Sequence, residues 1–239
     1  MTPVASKDVV GGQIGAQHKS IAVTHQGPQL GLEEIDNADL ILPRLILTQA
    51  LSKFVTELNM QSGVFVNSLT KQVLVDTTFI PVVANKYFDL LKKDVSSDRM
   101  VFDVRVTDKD DSRLEGRRFF SEGNIRADVN TVIAVIALID GKPIIIPFTK
   151  TSYKTGKTLL TMAKFAGGAF FAHKYKLSVK KEIMPKGTYF ISEIVQAGES
   201  SQEEYNAALD LYKTFSKRSL TNVGLEGDAI EGVDTEVPF

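Results

Sequence analysis

The chain of 239 residues contains no cysteine, which excludes disulfides, thiolate-bound zinc, iron–sulfur clusters and a cysteine nucleophile. Histidine is scarce: His18, His25 and His173 are the whole supply, and none has a His, Asp or Glu at metal-ligand spacing, so no metal is expected. Apolar runs are short of the roughly eighteen residues that cross a bilayer. The N-terminus MTPVASKDVVGGQIG has neither the basic nor the apolar part of a secretion signal. These absences lead us to expect a soluble, intracellular protein with no membrane partner. A surplus of positive charge is missing as well: the net charge is −1, whereas phosphate neutralisation supplies most of the affinity of nucleic-acid binders. For such a chain the distribution of charge matters more than its sum.

What is present is a core: 43% of the residues are hydrophobic, enough for one folded domain of this length. Residues 1–30 scatter their apolar positions among Gly, Gln, Ser and Thr and read as a flexible segment. From there the pattern turns to strands: LILPRLILTQA, then GVFVNS and QVLVDTTFIPVVA as a hairpin across the polar NSLTK, then MVFDVRVT. TVIAVIALID runs into Asp140-Gly141 before KPIIIPFTK, the strongest short-range hairpin signal in the chain. KYKLSVKKEIM and GTYFISEIVQ form a second hairpin around Pro185-Lys186-Gly187.

Two helices are expected among these strands. TGKTLLTMAKFA places Leu159, Leu160, Ala163 and Ala166 at helical spacing, with Thr155 as N-cap and Gly167-Gly168 as the stop. SSQEEYNAALDLYKTFSKR opens on serine and acids, ends in bases, and sets Tyr205, Ala208, Leu211, Tyr212 and Phe215 on one face. Strands adjacent in sequence rather than alternating with helices predict a mainly β, α+β fold. We expect an OB-like antiparallel β-barrel over residues 31–216, with one internal and one C-terminal helix, and an acidic, disordered tail over 217–239.

The neutral total hides a charge split. Residues 141–190 hold ten lysines against one acid, Glu182, a net of +9, while residues 219–239 hold five acids and no base. Eight of the twenty aromatic residues lie in the same basic stretch. A lysine-rich solvated surface would explain the charge alone, but rings interleaved with lysines suit a nucleic-acid strand, whose bases stack while its phosphates are neutralised. The expected contacts are Lys150, Lys154, Lys157, Lys164, Lys174 and Lys176, with Phe148, Tyr153 and Tyr175 facing the ligand and Phe165 given to the core. Arg117 and Arg118, beside Phe119 and Phe120, form a weaker second group whose alternative is a protected strand edge.

Other motifs fail. TGKT at 155–158 ends like a phosphate-binding loop, but the glycine required five residues earlier is Thr151. The acids at 108–111 read as a polar turn rather than a nuclease centre. No catalytic constellation and no cofactor site are expected.

The C-terminus is the most specific part of the sequence. An acidic segment leads through Asp234, Thr235, Glu236 and Val237 to Pro238 and Phe239, and this tip resembles that of bacterial single-stranded-DNA-binding proteins and their phage counterparts. LILPRLILTQ, VFVNSLT and FTKTSYKTGKTL are likewise similar to stretches of phage replication proteins. The resemblance implies non-catalytic, sequence-independent binding and protection of single-stranded DNA in the cytoplasm of an infected bacterial host. It also implies recruitment of replication or recombination proteins through Asp234, Glu236, Pro238 and Phe239. The physics agrees, since a terminal ring can fill an apolar pocket while its carboxylate meets a base. A homo-oligomer is compatible with this reading. A strand-annealing recombination protein, an enzyme and a virion structural protein are the competing classes.

Overall fold

The computed structural model describes residues 41–96, 100–121, 125–184 and 187–216. The expected N-terminal segment 1–30 and the tail 217–239 lie outside the described residues. Nine strands and three α-helices are found among those described.

The chain opens with β1 (Leu45–Leu47), a single-turn helix α1 (Lys53–Thr56), β2 (Phe65–Asn67) and the two-residue β3 (Val73–Leu74), the three strands forming a small antiparallel sheet. The hairpin expected at NSLTK is present: the Asn67 side chain accepts from the Leu69 and Thr70 N–H groups. LILPRLILTQA is only briefly a strand, and α1 is too short for a helical period to show in sequence. QVLVDTTFIPVVA is two strands rather than one, because Asp76 takes a positive φ of 49° between them. The second, β4, runs from Thr77 to Lys93, well past the expected end.

The main sheet is built around β4, with β5 (Met100–Val106), β6 (Val129–Ile139), β7 (Lys142–Thr149), β8 (His173–Met184) and β9 (Gly187–Glu199), in the order β7-β6-β4-β8-β9. β5 and β8 share the β4 edge opposite β6, β8 at Thr77–Phe79 and β5 at Phe88–Lys93. Pro81, which has no N–H to give, sits at an irregularity of the β4–β6 register. Asp140 and Gly141, at φ 50° and 72°, make the tight turn that pairs Ile139 with Lys142.

The expected barrel does not close. β7 meets the residue just before β1 at one parallel bridge, Arg44 to Ile145, and the outer edge of β9 is met by side chains. Gln49 donates to the Phe190 carbonyl at 2.8 Å and accepts from its N–H at 3.0 Å. Thr155 Oγ1 donates to the Ser192 carbonyl at 2.6 Å. These contacts occupy edge groups that would otherwise recruit a further strand.

Helix α2 (Tyr153–Ala166) covers one face of the sheet and α3 (Gln202–Phe215) the other. Alternate residues of β6 serve the two faces: Ile133, Val135, Ala137 and Ile139 meet Leu159 of α2, whereas Val132, Ala134 and Ile136 meet Phe215 of α3. A strand buried on both faces reads as an unbroken apolar run, which accounts for TVIAVIALI. The capping box expected for α3 is formed by Ser201 and Glu204.

α2 departs from expectation in two ways. It begins at Tyr153, after a 3-10 turn over Lys150–Ser152, so Thr155 lies inside the helix and ties it to β9 instead of capping it. Its buried residues are Gly156 and Leu159, with Ala163 packed beside them, while Leu160 and Ala166 are exposed. Gly156 sets this rotation. A Cβ there would stand 2.6 Å from Cβ of Phe148, so the helix approaches β7 through a position without a side chain.

Candidate nucleic-acid interface

The fold sorts the lysines of the basic stretch into two groups. Lys174 pairs with Glu204 at 3.0 Å, Lys176 with Asp76 at 3.0 Å, and Lys180 lies 3.6 Å from both Glu182 and Glu193. Hydrogen bonds from the Ser201 N–H and then from Lys174 hold the Glu204 carboxyl below its ordinary pKa. Lys174 and Lys176, two of the expected contacts, thus each face a carboxylate, with the Lys176 side chain 41% exposed.

Lys154, Lys157 and Lys164 are exposed on α2, and among the described residues no carboxylate lies within ion-pair distance of them. At 3.6 residues per turn they fall, with Thr161 and Phe165, within about 100° of arc opposite Gly156, Leu159 and Ala163. Thr158 and Thr161 hydroxyls donate back to the Lys154 and Lys157 carbonyls. Lys157 Nζ lies 5.4 Å from the centroid of the half-buried Tyr153 ring. Lys150, half-buried in the turn that enters α2, has a positive φ of 49°.

The rings are exchanged relative to expectation. Phe148 and Tyr175, expected to face the ligand, are 1% and 0% exposed. Phe148 shares its face of β7 with Ile144 and Ile146, and Tyr175 shares its face of β8 with Leu177, all within the core under α2. Phe165, expected in the core, is 87% exposed at the end of the lysine stripe.

The Tyr175 hydroxyl has no hydrogen-bond partner among the described residues, and burial pushes its pKa up. Removing an unpaired buried hydroxyl lifts a desolvation cost. Tyr175→Phe is expected to keep or raise stability by about 1 kcal/mol, read by thermal melting, and to leave nucleic-acid affinity unchanged.

Arg117 and Arg118 lie in the β5–β6 connection and also part company. Arg118 clamps Asp128 through two bonds of 3.1 and 3.0 Å, while its carbonyl accepts from the Asp128 N–H at 2.8 Å. The Arg118 guanidinium holds the Asp128 carboxyl below its ordinary pKa. Arg118 thus braces the loop through Asp128, and both arginines are exposed. The acids at 108–111 form a polar turn: Asp108 accepts from the Asp110 N–H, and Arg113 lowers the pKa of Asp111 to about 2.

A buried ion pair with no local signal in the sequence joins Arg105 to Asp89 at 2.7 Å, with Arg105 stacked 3.8 Å from the centroid of the Tyr87 ring. It braces β4 against β5. Among the described residues, no three His, Cys, Asp or Glu side chains are grouped to hold a metal, and no helix is long and apolar enough to cross a membrane. Asp234, Glu236, Pro238 and Phe239 lie outside the described residues.

These observations define a mainly β, α+β protein that displays a helix with an exposed basic stripe. The family model described as Pam3 phage gp34-like protein matches residues 15–221. The chain belongs to that family and is a phage protein. No curated protein and no solved structure matches it.

Proposed function

We propose that the protein binds single-stranded DNA without catalysis or sequence preference during phage replication or recombination, in the cytoplasm of the host. The observation that carries this reading is the outer face of α2, where Lys154, Lys157 and Lys164 stand without carboxylate partners among the described residues, beside the exposed Phe165 ring. From Lys154 to Lys164 the helix rises about 15 Å, a length over which a strand can lay successive phosphates along the ammonium groups. A protruding ring stacks on an unpaired base without the cost of prising base steps apart that a duplex imposes, which favours single strands. Lysines and ring faces read backbone and π-surface, so little sequence preference follows.

Competition tests the reading: unlabelled poly-dT should displace a labelled dT oligonucleotide at far lower concentration than duplex does. Equal competition by duplex would overturn it.

The tail supplies the second half of the proposal. Asp234, Glu236, Pro238 and Phe239 form an acidic, ring-tipped end suited to an apolar pocket rimmed by bases on a replication or recombination protein. Deleting Phe239 should abolish recovery of such partners from infected-cell extract and spare DNA affinity. Deleting residues 219–239 should in addition tighten DNA binding, because five tethered acids no longer compete for the lysines. Unchanged recovery without Phe239 would reduce the tail to a solubilising end.

A further inference from the structure

Two consecutive phenylalanines in the β5–β6 connection take opposite positions. Phe119 rests edge-on against Phe88, ring centroids 6.0 Å apart, while Phe120 is 82% exposed. The Arg118 clamp on Asp128 sits immediately before them and fixes the backbone that presents the second ring. The arginines around it divide the same way. Arg113 and Arg118 form close ion pairs with Asp111 and Asp128, whereas exposed Arg117 and Arg126 form none among the described residues, the charge of Arg117 reaching Asp128 only at longer range.

Strand register places this ring relative to α2. Val132 of β6 is opposite Thr149, the last residue of β7 before the turn into α2. Val129, where β6 emerges from the Phe120 loop, is only about 10 Å away along the strand. The start of α2 and the loop therefore lie at the same end of the sheet. They also share a face. Phe88 is opposite Thr131 and Lys86 opposite Ile133, and Ile133 points into the core that α2 covers. Opposed residues project to one side of a sheet, so Phe88, with Phe119 on it, belongs to the α2 face. Lys86 is exposed on that side, its ammonium 5.1 Å from the centroid of the Phe88 ring.

The geometry points to a second single-strand contact on the β5–β6 connection, in which Phe120 stacks on a base and Lys86, Arg117 and Arg126 neutralise the flanking phosphates, extending the α2 track across one end of the sheet. This inference rests on the single-strand reading and adds the residues that carry the strand beyond α2. Phe120 is the most exposed ring of the connection, beside Phe119 at 36% and Ile125 at 51%, and exposed Arg117 and Arg126 flank it in sequence. A ring accompanied by guanidinium groups suits a nucleobase with its phosphates.

The chain contains no tryptophan, so Phe120→Trp introduces a sole indole reporter. In the full-length protein, addition of a dT oligonucleotide should quench the emission of that indole, and the indole of a Leu69→Trp variant, on the exposed β2–β3 turn, should stay unquenched. Phe120→Ala should raise the dissociation constant about tenfold with unchanged melting temperature. Substituting Arg117 and Arg126 by alanine should lower the salt slope by about 1.4. If the oligonucleotide binds the wild type and Phe120→Ala equally while the emission of Phe120→Trp is unmoved, the inference falls and the α2 reading stands. If the wild type binds no dT oligonucleotide, both fall. An emission shift in Phe120→Trp that depends on protein concentration without DNA would assign the ring to contact between copies and overturn the inference.

Discussion

Replacing Lys154, Lys157 and Lys164 together by alanine is expected to weaken binding to a dT oligonucleotide by roughly a hundredfold at about 0.1 M salt. Each phosphate neutralised on a single strand contributes a slope of about 0.7 in log affinity against log salt, so three contacts amount to about two decades at that concentration. The slope itself should fall by about 2. All three side chains are exposed and without carboxylate partners among the described residues, so the melting temperature should hold. By contrast, Lys174→Ala and Lys176→Ala remove partners of Glu204 and Asp76, and their effect on affinity should be small. A triple variant that binds like the wild type would move the interface off α2.

Gly156→Val should give the largest loss of stability. The first added carbon would stand 2.6 Å from Phe148 Cβ and 2.9 Å from its Cγ. Those atoms sit at the root of a side chain fixed in the core and cannot swing aside as a side-chain tip would. Valine is a better helix former than glycine, but that gain is under about 1 kcal/mol, whereas overpacking a tight contact costs about 1–3 kcal/mol. With two more methyl groups pressed into the β7 interface, we expect a net loss of about 2 kcal/mol and a melting temperature lower by about 4–8 °C. An unchanged melting temperature would mean that α2 does not approach β7 through Gly156.

Local signals are legible in the sequence and long-range ones are not. Asp140-Gly141, the Ser201–Glu204 capping box and the β8–β9 hairpin can be read directly because each is decided by residues a few positions apart. The rotation of α2 escapes such a reading, since a count of apolar positions gives Gly156 no weight and Leu160 full weight, although the missing side chain decides which face docks. The same count sends Phe165 to the core. Phe148 is undecidable from sequence, since both faces of KPIIIPFTK are apolar. The pairing of Lys176 with Asp76 and of Lys174 with Glu204 joins residues far apart in the chain, so ten lysines look equivalent until the sheet orders them. Adjacent strands suggest a barrel, but the apolar run of β6 already carries the signature of a strand covered on both faces.

The salt dependence of wild-type binding tests the central claim most directly. Titrating a labelled dT oligonucleotide across a range of ionic strengths should give log affinity falling linearly with log salt, with a slope of about −2 or steeper, the share of the three α2 lysines alone. Affinity that persists unchanged to about molar salt, or no binding at low salt, would contradict the account.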